Sequence, residues 1–249
     1  MPSPTLAALR SLLAARFPER IRRPAGSVAT GIAAVDKALG GGLAAGRLTE
    51  CVAAAPGSGA QLVLAGLLAS TRAARQRLAL VDGADGFAPE TVPADHLRHV
   101  VWVRCRGAAE ALAAGDFLVR DGNYAVIALD LRGLPVRTLR RQPATGWYRL
   151  QRAAEGGPAA VLVLTPLPLV PAAPWRLVLR PSLTLTHTRR PRPSVADGVA
   201  VELERGGARP DAAEMEKLAG CKQQPPLGTF SFSLIAPASR SRPRERERL

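Results

Sequence analysis

Lysine is scarce in this chain, and so are cysteine, histidine and aromatic side chains. Of 34 basic residues only Lys37, Lys217 and Lys222 are lysines; the others are arginines set in alanine-rich sequence, the bias that GC-rich coding drift produces. The net charge of +14 and the pI near 11.3 point to a polyanionic partner, but that compositional bias leaves direct nucleic-acid binding open on charge alone. Cys51, Cys105 and Cys221 lie far apart and are odd in number, which excludes a disulfide scaffold and a cysteine metal cluster. The three histidines, His96, His99 and His187, pair with no cysteine pattern and there is no G-x-S-x-G elbow, so nucleophilic hydrolysis finds no support. Surface placement is expected for them, and no metal. The longest apolar stretch, 159–175, is broken by Pro166, Pro168, Pro171 and Pro174 and cannot form a membrane-spanning helix. The start of the chain lacks the basic-then-apolar order of a secretory signal, so a cytoplasmic location with no membrane partner is expected.

At 47% hydrophobic residues over 249 positions, the chain can bury one core of ordinary size. "SPTLAALRSLLAARFPER" places Leu6, Leu9, Leu13 and Phe17 at helical spacing behind a Ser3–Pro4 start, predicting an amphipathic helix followed by a Pro/Gly linker through residue 26. From residue 27 short apolar runs at 47–53, 77–83, 99–105, 124–131 and 159–165 alternate with helical patterns at 60–75, 108–122 and 146–157. That alternation predicts an α/β fold with a mostly parallel sheet covered by helices on both faces. Beyond Pro166 the stretches 175–188 and 198–205 alternate apolar and polar residues and predict antiparallel edge strands on either side of a Pro/Arg-rich turn. Residues 207–249 lose periodicity and end in "ASRSRPRERERL", predicting a basic, disordered extension. The core is therefore expected to span 27–206. Trp102, Trp147, Trp175 and Tyr148 are expected in it rather than as contact anchors.

Between the first strand and the first core helix lies "AAAPGSGAQ", residues 53–61, the context of a phosphate loop. Laid on G-x-x-x-x-G-K-[ST], it puts Ala54 at the first glycine, Gly59 at the second, Ala60 at the lysine and Gln61 at the magnesium-binding hydroxyl. Pro56, Gly57 and Gly59 keep the turn. No lysine or arginine occurs between Arg47 and Arg72, and an amide at Gln61 is a poor ligand for a hard cation. The alternative is an ordinary glycine-rich turn with no nucleotide role.

The segment before the loop, "SVATGIAAVDKALGGGLAAGRLTEC" at 27–51, carries Thr30-Gly31, Asp36, Gly40-Gly41-Gly42, Gly46 and Glu50 in register and resembles the lead-in of the RecA-like recombinase and clock-protein superfamily. The resemblance implies a RecA-like P-loop NTPase core over about 27–205, with Asp82 matching the first acid of the cluster that orients attacking water and Ala84 falling at its glutamate. Asp85 is a shifted substitute on this reading. "YAVIALDLRG" resembles the Walker B strand and puts Asp130 at the magnesium position, with strand-end capping as the alternative role. Pro166 stands near the polar sensor. With Ala60 and Gln61 in the loop, a pseudo-ATPase without cofactor or catalytic residues is expected. Among RecA-like chains with eroded sites, the sequence resembles the ImuA family of translesion-synthesis, SOS-mutagenesis accessory proteins. That resemblance implies an adaptor binding RecA and an ImuB-type inactive Y-family polymerase homologue, in a complex with the error-prone polymerase III alpha subunit. Leu6, Leu9, Leu13 and Phe17 are then partner-binding residues. Basic runs at 137–152 and 176–192 support a second reading, a DNA-binding pseudo-ATPase that takes single-stranded DNA on Arg137, Arg140, Arg141 and Arg149. A third is a SulA-like cell-division inhibitor.

Overall fold

The computed structural model describes residues 26–171, 173–189 and 192–205. Leu6, Leu9, Leu13 and Phe17, with their expected helix, and the expected extension from 207 lie outside these residues. The described chain opens with a two-stranded antiparallel hairpin, β1 (Ser27–Val28) against β2 (Leu43–Ala44), around helix α1 (Ala33–Ala38). Here the lead-in residues are structural. Asp36 accepts hydrogen bonds from the Thr30 amide (2.7 Å), the Thr30 hydroxyl (2.8 Å) and the Gly31 amide (3.2 Å), tying the turn shut. A β-carbon at Gly31 would stand 2.9 Å from the Gly66 carbonyl oxygen, so glycine lets this turn press on the first core helix.

The core then alternates as expected: β3 (Leu48–Val52), α2 (Ala60–Ala73), β4 (Leu78–Asp82), β5 (Val100–Arg104), α3 (Ala108–Asp121), β6 (Val126–Asp130), α4 (Val136–Arg140), α5 (Ala144–Ala154) and β7 (Ala160–Thr165). It closes with β8 (Trp175–Arg180), α6 (Arg192–Ala196) and β9 (Ala200–Arg205). The strands form one seven-stranded sheet in the order β5-β4-β6-β7-β3-β8-β9. All are parallel to their neighbours except β9, which runs antiparallel to β8. This is the α/β architecture expected of a RecA-like core. "LALVD", "VIALD" and "AVLVLT" are continuous apolar runs because both faces of these strands are covered. Successive side chains alternate between two cores. Leu80, Ala128 and Leu162 meet Leu64 and Leu67 of α2, whereas Val81, Leu129 and Val163 meet Leu112, Trp147 and Leu150 of α3 and α5.

The expected antiparallel edge pair is present: β9 runs antiparallel to β8, while β8 itself runs parallel to β3 and 185–189 forms a short 3-10 turn. Pro181, with no amide hydrogen to donate, ends β8. The polar residue that made β8 read as half-exposed, Arg176, is 5% exposed. Its Nε donates to Glu50 Oε2 at 2.8 Å, and Glu50, wholly buried, also accepts from the Thr165 hydroxyl and the Leu169 and Val170 amides through Oε1. A buried cation with a buried partner mimics the pattern of a solvent-facing one. Glu50, another of the lead-in residues, is thus a structural clasp between β3, β8 and the segment that leaves β7.

Candidate functional site

Because β3, β6 and β7 are parallel, their carboxyl ends open on one edge of the sheet, where ligands of α/β folds bind. The loop 53–59 leaves β3 there and turns into α2. Around it lies a cavity of about 930 Å³, bordered by Ala54, Pro56, Gly57 and Gln61 on the loop side and by Arg132 and His187 opposite. Ala60, at the lysine position, is 4% exposed and brings only a methyl group.

A cation does reach this loop, from another strand. Arg132 follows β6, and its guanidinium grips Asp130 with Nε 2.9 Å from Oδ1 and Nη2 on Oδ2. The same Nη2 donates to Gln61 Oε1 at 3.0 Å. Since β7 stands between β3 and β6, the span is about two strand spacings, roughly 10 Å, and a long side chain is needed to bridge it. No cation is local to the loop in sequence; this guanidinium arrives from 71 residues away. It arrives already neutralised. Burial disfavours its charge, but the hydrogen bond and charge of Asp130 outweigh burial and move its pKa upward. Asp130 has both oxygens on that guanidinium and also accepts the Arg132 amide at 3.2 Å, so the strand-end capping role and the ion pair coincide. Beneath them Cys51 is fully buried, and burial pushes its thiol up to about 12 while Arg132 pulls the other way.

The chain also leans on its own loop. The Leu183 amide donates to the Gly57 carbonyl oxygen at 3.0 Å. Gly57 sits at φ +76, and a β-carbon there would stand 2.4 Å from the Leu183 oxygen, so only glycine admits this contact. His187 Nδ1 lies 3.1 Å from the Thr184 amide, which donates to it. Leu183, Thr184, His187 and Val195 line the outer side of the cavity.

The acids that the resemblance places at the water-orienting cluster, Asp82 and its neighbour Asp85, do not line this cavity. The Asp82 carboxylate is used up by the amides of Ala84 (3.3 Å), Gly86 (3.0 Å) and Phe87 (2.8 Å) and by Trp102 Nε1 (3.3 Å). Asp85, in the left-handed region at φ 53, takes Arg104 bidentately at 2.6 and 2.5 Å, and that hydrogen bond holds its carboxyl below the usual range. It lines a separate cavity of about 520 Å³ with Arg104, Cys105 and Arg106, so the geometry does not make it a shifted catalytic glutamate.

Arg137, Arg140, Arg141 and Arg149 are all exposed, and Arg149 lies 3.6 Å from Asp116. Arg176, in the second basic run, is buried and unavailable to DNA. Trp147 is core, but Tyr148 beside it is 51% exposed. His96 and His99 are half-buried rather than on the surface; the Thr71 hydroxyl donates to the Leu67 carbonyl and receives His99 Nε2 at 2.8 Å. The residue that sequence reasoning missed is Arg132, and the available signal was its place two positions beyond a strand-end aspartate. Among the described residues no three His, Cys, Asp or Glu side chains gather as a metal site, and no helix is long and apolar enough to cross a membrane. Among the described residues that line the cavity Arg132 is the only arginine, and its guanidinium is already paired with Asp130. The chain matches no protein-family model and no curated protein.

Proposed function

We propose that this chain is a non-catalytic RecA-like adaptor of the DNA-damage-induced translesion machinery, of the ImuA kind. On this reading it binds RecA and an ImuB-type inactive polymerase homologue in the cytoplasm, in a complex with an error-prone polymerase III alpha subunit. The observation that carries the non-catalytic part is the Arg132–Asp130 ion pair, with Nη2 also on Gln61. A working site needs a lysine on the β- and γ-phosphates and a carboxylate free to organise magnesium. Here the lysine position is Ala60 and the carboxylate is held by a guanidinium. Loss of that charge stabilisation costs several powers of ten in phosphoryl-transfer rate. The adaptor part is supported by the lead-in motif and by its architecture, which the chain maintains through Asp36 and Glu50 although the catalytic positions have changed.

The test is label-free binding of the full chain to RecA at physiological salt, with and without single-stranded DNA and ATP, beside calorimetric titration with MgATP. Saturable RecA binding with no heat of nucleotide binding and no turnover is expected. Turnover abolished by Asp130→Asn overturns the non-catalytic part, and failure to bind RecA in every state overturns the adaptor. The second reading, a DNA-binding pseudo-ATPase, is favoured by the exposure of Arg137, Arg140 and Arg141, and tight DNA binding without RecA binding selects it.

A further inference from the structure

At the carboxyl end of the sheet the chain parts in two directions. From β4 it runs outward to the edge strand β5, and from β6 it turns back toward β7. The two connections also cover opposite faces. Phe87 and Val92 of the first pack in the core with α2, whereas Leu139 and Trp147 of the second pack in the core with α3 and α5. Adjacent parallel strands that send their chains apart leave a crevice, which is where open α/β sheets bind ligands. The cavity of about 520 Å³ lies there, over the ends of β4, β5 and β6, and shares no lining residue with the loop cavity. Gly133 lets the loops after β4 and β6 close on each other at its border, since a β-carbon there would stand 2.7 Å from that of Ala84.

The wall that follows β5 carries two arginines. Arg104 has its guanidinium carbon 5.2 Å from the Trp102 ring centroid and donates Nε and Nη2 to Asp85. Ring and carboxylate together fix the plane of the fork, and both hydrogens on Nη1 and one on Nη2 are left for another acceptor. Asp85 holds its place at φ 53, a left-handed conformation that few non-glycine residues take. An exposed ion pair adds little stability, so the pair alone does not account for that backbone. Arg106 is exposed, and no carboxylate of the described residues lies within ion-pair distance of its guanidinium. Glu110 accepts the Arg106 amide instead. With Asp85 set against Arg104 and Arg106, the lining carries a surplus positive charge.

We propose that this crevice binds a small organic anion, whose carboxylate or phosphate group takes the free edge of Arg104 and the guanidinium of Arg106. A fork held flat offers paired donors to two oxygens of one group. The volume falls in the range of small-molecule sites, about 300–1,000 Å³, which leaves room for the rest of the molecule. The assignment is independent of the adaptor reading.

Titration of the ¹⁵N-labelled full chain with sodium succinate and with sodium phosphate, at an ionic strength held constant with chloride, tests it through amide chemical shifts. Saturable shifts at Gly83, Asp85, Cys105 and Gly133 are expected, and the probe that saturates at the lower concentration identifies the group. Arg106→Gln, at an exposed side chain with no ion pair to lose, keeps the fold by circular dichroism and weakens binding about tenfold or more, the loss of one charged hydrogen bond. Arg98→Gln removes an exposed arginine just before β5 and outside the cavity, and leaves affinity unchanged. Shifts that stay linear with both probes overturn the proposal. So does equal weakening by Arg106→Gln and Arg98→Gln, which is general charge attraction without a site, and so do shifts confined to residues 53–61, which give the anion to the loop.

Discussion

Replacing Arg176 with methionine is expected to cost about 3–5 kcal/mol of folding stability, the range for a buried charge stripped of its partner. Glu50 has no exposed surface and Arg176 has 5%, so solvent screening does little here. With the guanidinium gone, Glu50 keeps the Thr165, Leu169 and Val170 donors on Oε1 but loses the 2.8 Å bond on Oε2. An uncompensated carboxylate is left inside the sheet. Glu204, 3.7 Å from Arg176 on its far side, cannot help, because it carries the same charge as Glu50. The double variant Glu50→Gln/Arg176→Met removes both charges while retaining an acceptor for the Leu169 and Val170 amides, and should recover most of the loss. Urea midpoints at constant slope measure the difference. In thermal scans a domain of this size shifts about 2–4 °C per kcal/mol, so a fall of roughly 6–20 °C is expected for the single variant. The segment that Glu50 holds leads from β7 past Pro166, which borders the loop cavity, so the single variant should also loosen that wall. A single variant within about 1 kcal/mol of the parent would refute the reasoning, because it would mean that water reaches Glu50.

Gly57→Ala forces a β-carbon to within 2.4 Å of the Leu183 oxygen at a left-handed φ; a loss of about 1–2 kcal/mol or more with faster limited proteolysis of 183–199 is expected, and an unaltered cleavage pattern counts against the wall. His99 is held below its ordinary 6.5 by burial and then by the charges of Arg72 and His96, with Asp95 opposing, and its Nδ1 is buried without a partner. The unfolded chain therefore takes up the proton first, so the stability due to neutral His99 is full above about pH 6.5 and is lost as pH falls through the lower folded value. A thermal midpoint that declines below pH 6.5 in the parent and less steeply in His99→Gln is the expected result; identical profiles refute it. Cys51, pushed up to about 12 by burial, should resist alkylation at neutral pH until the fold opens, and rapid labelling with native circular dichroism would show otherwise.

The parallel core was legible because its strands are covered on both faces, which turns "VIALD" and "AVLVLT" into unbroken apolar runs and leaves the helices amphipathic. The loop was legible because a phosphate loop is a local feature, with its glycines and its lysine position within nine residues of chain. The antiparallel edge pair was legible as well, but the burial of Arg176 was not, because Arg176 looks the same in sequence whether it meets water or Glu50. Tyr148 and Trp147 are neighbours in one helix, and only the helix's rotation against α3 and the sheet sends one out and the other in.

By itself, then, the amino-acid order determined the α/β alternation, the position of the loop and the absence of its lysine, since each is written in contiguous residues through periodicity and backbone chemistry. The tertiary structure alone decided that β8 lies parallel to β3, that Asp130 is held by Arg132 with Gln61 beside it, and that Trp147 is buried while Phe117 and Tyr148 stay exposed. Those outcomes depend on which strand inserts between which others and which helix faces meet. Such juxtapositions join residues tens of positions apart, and burial and charge pairing select them only once the sheet order is in place.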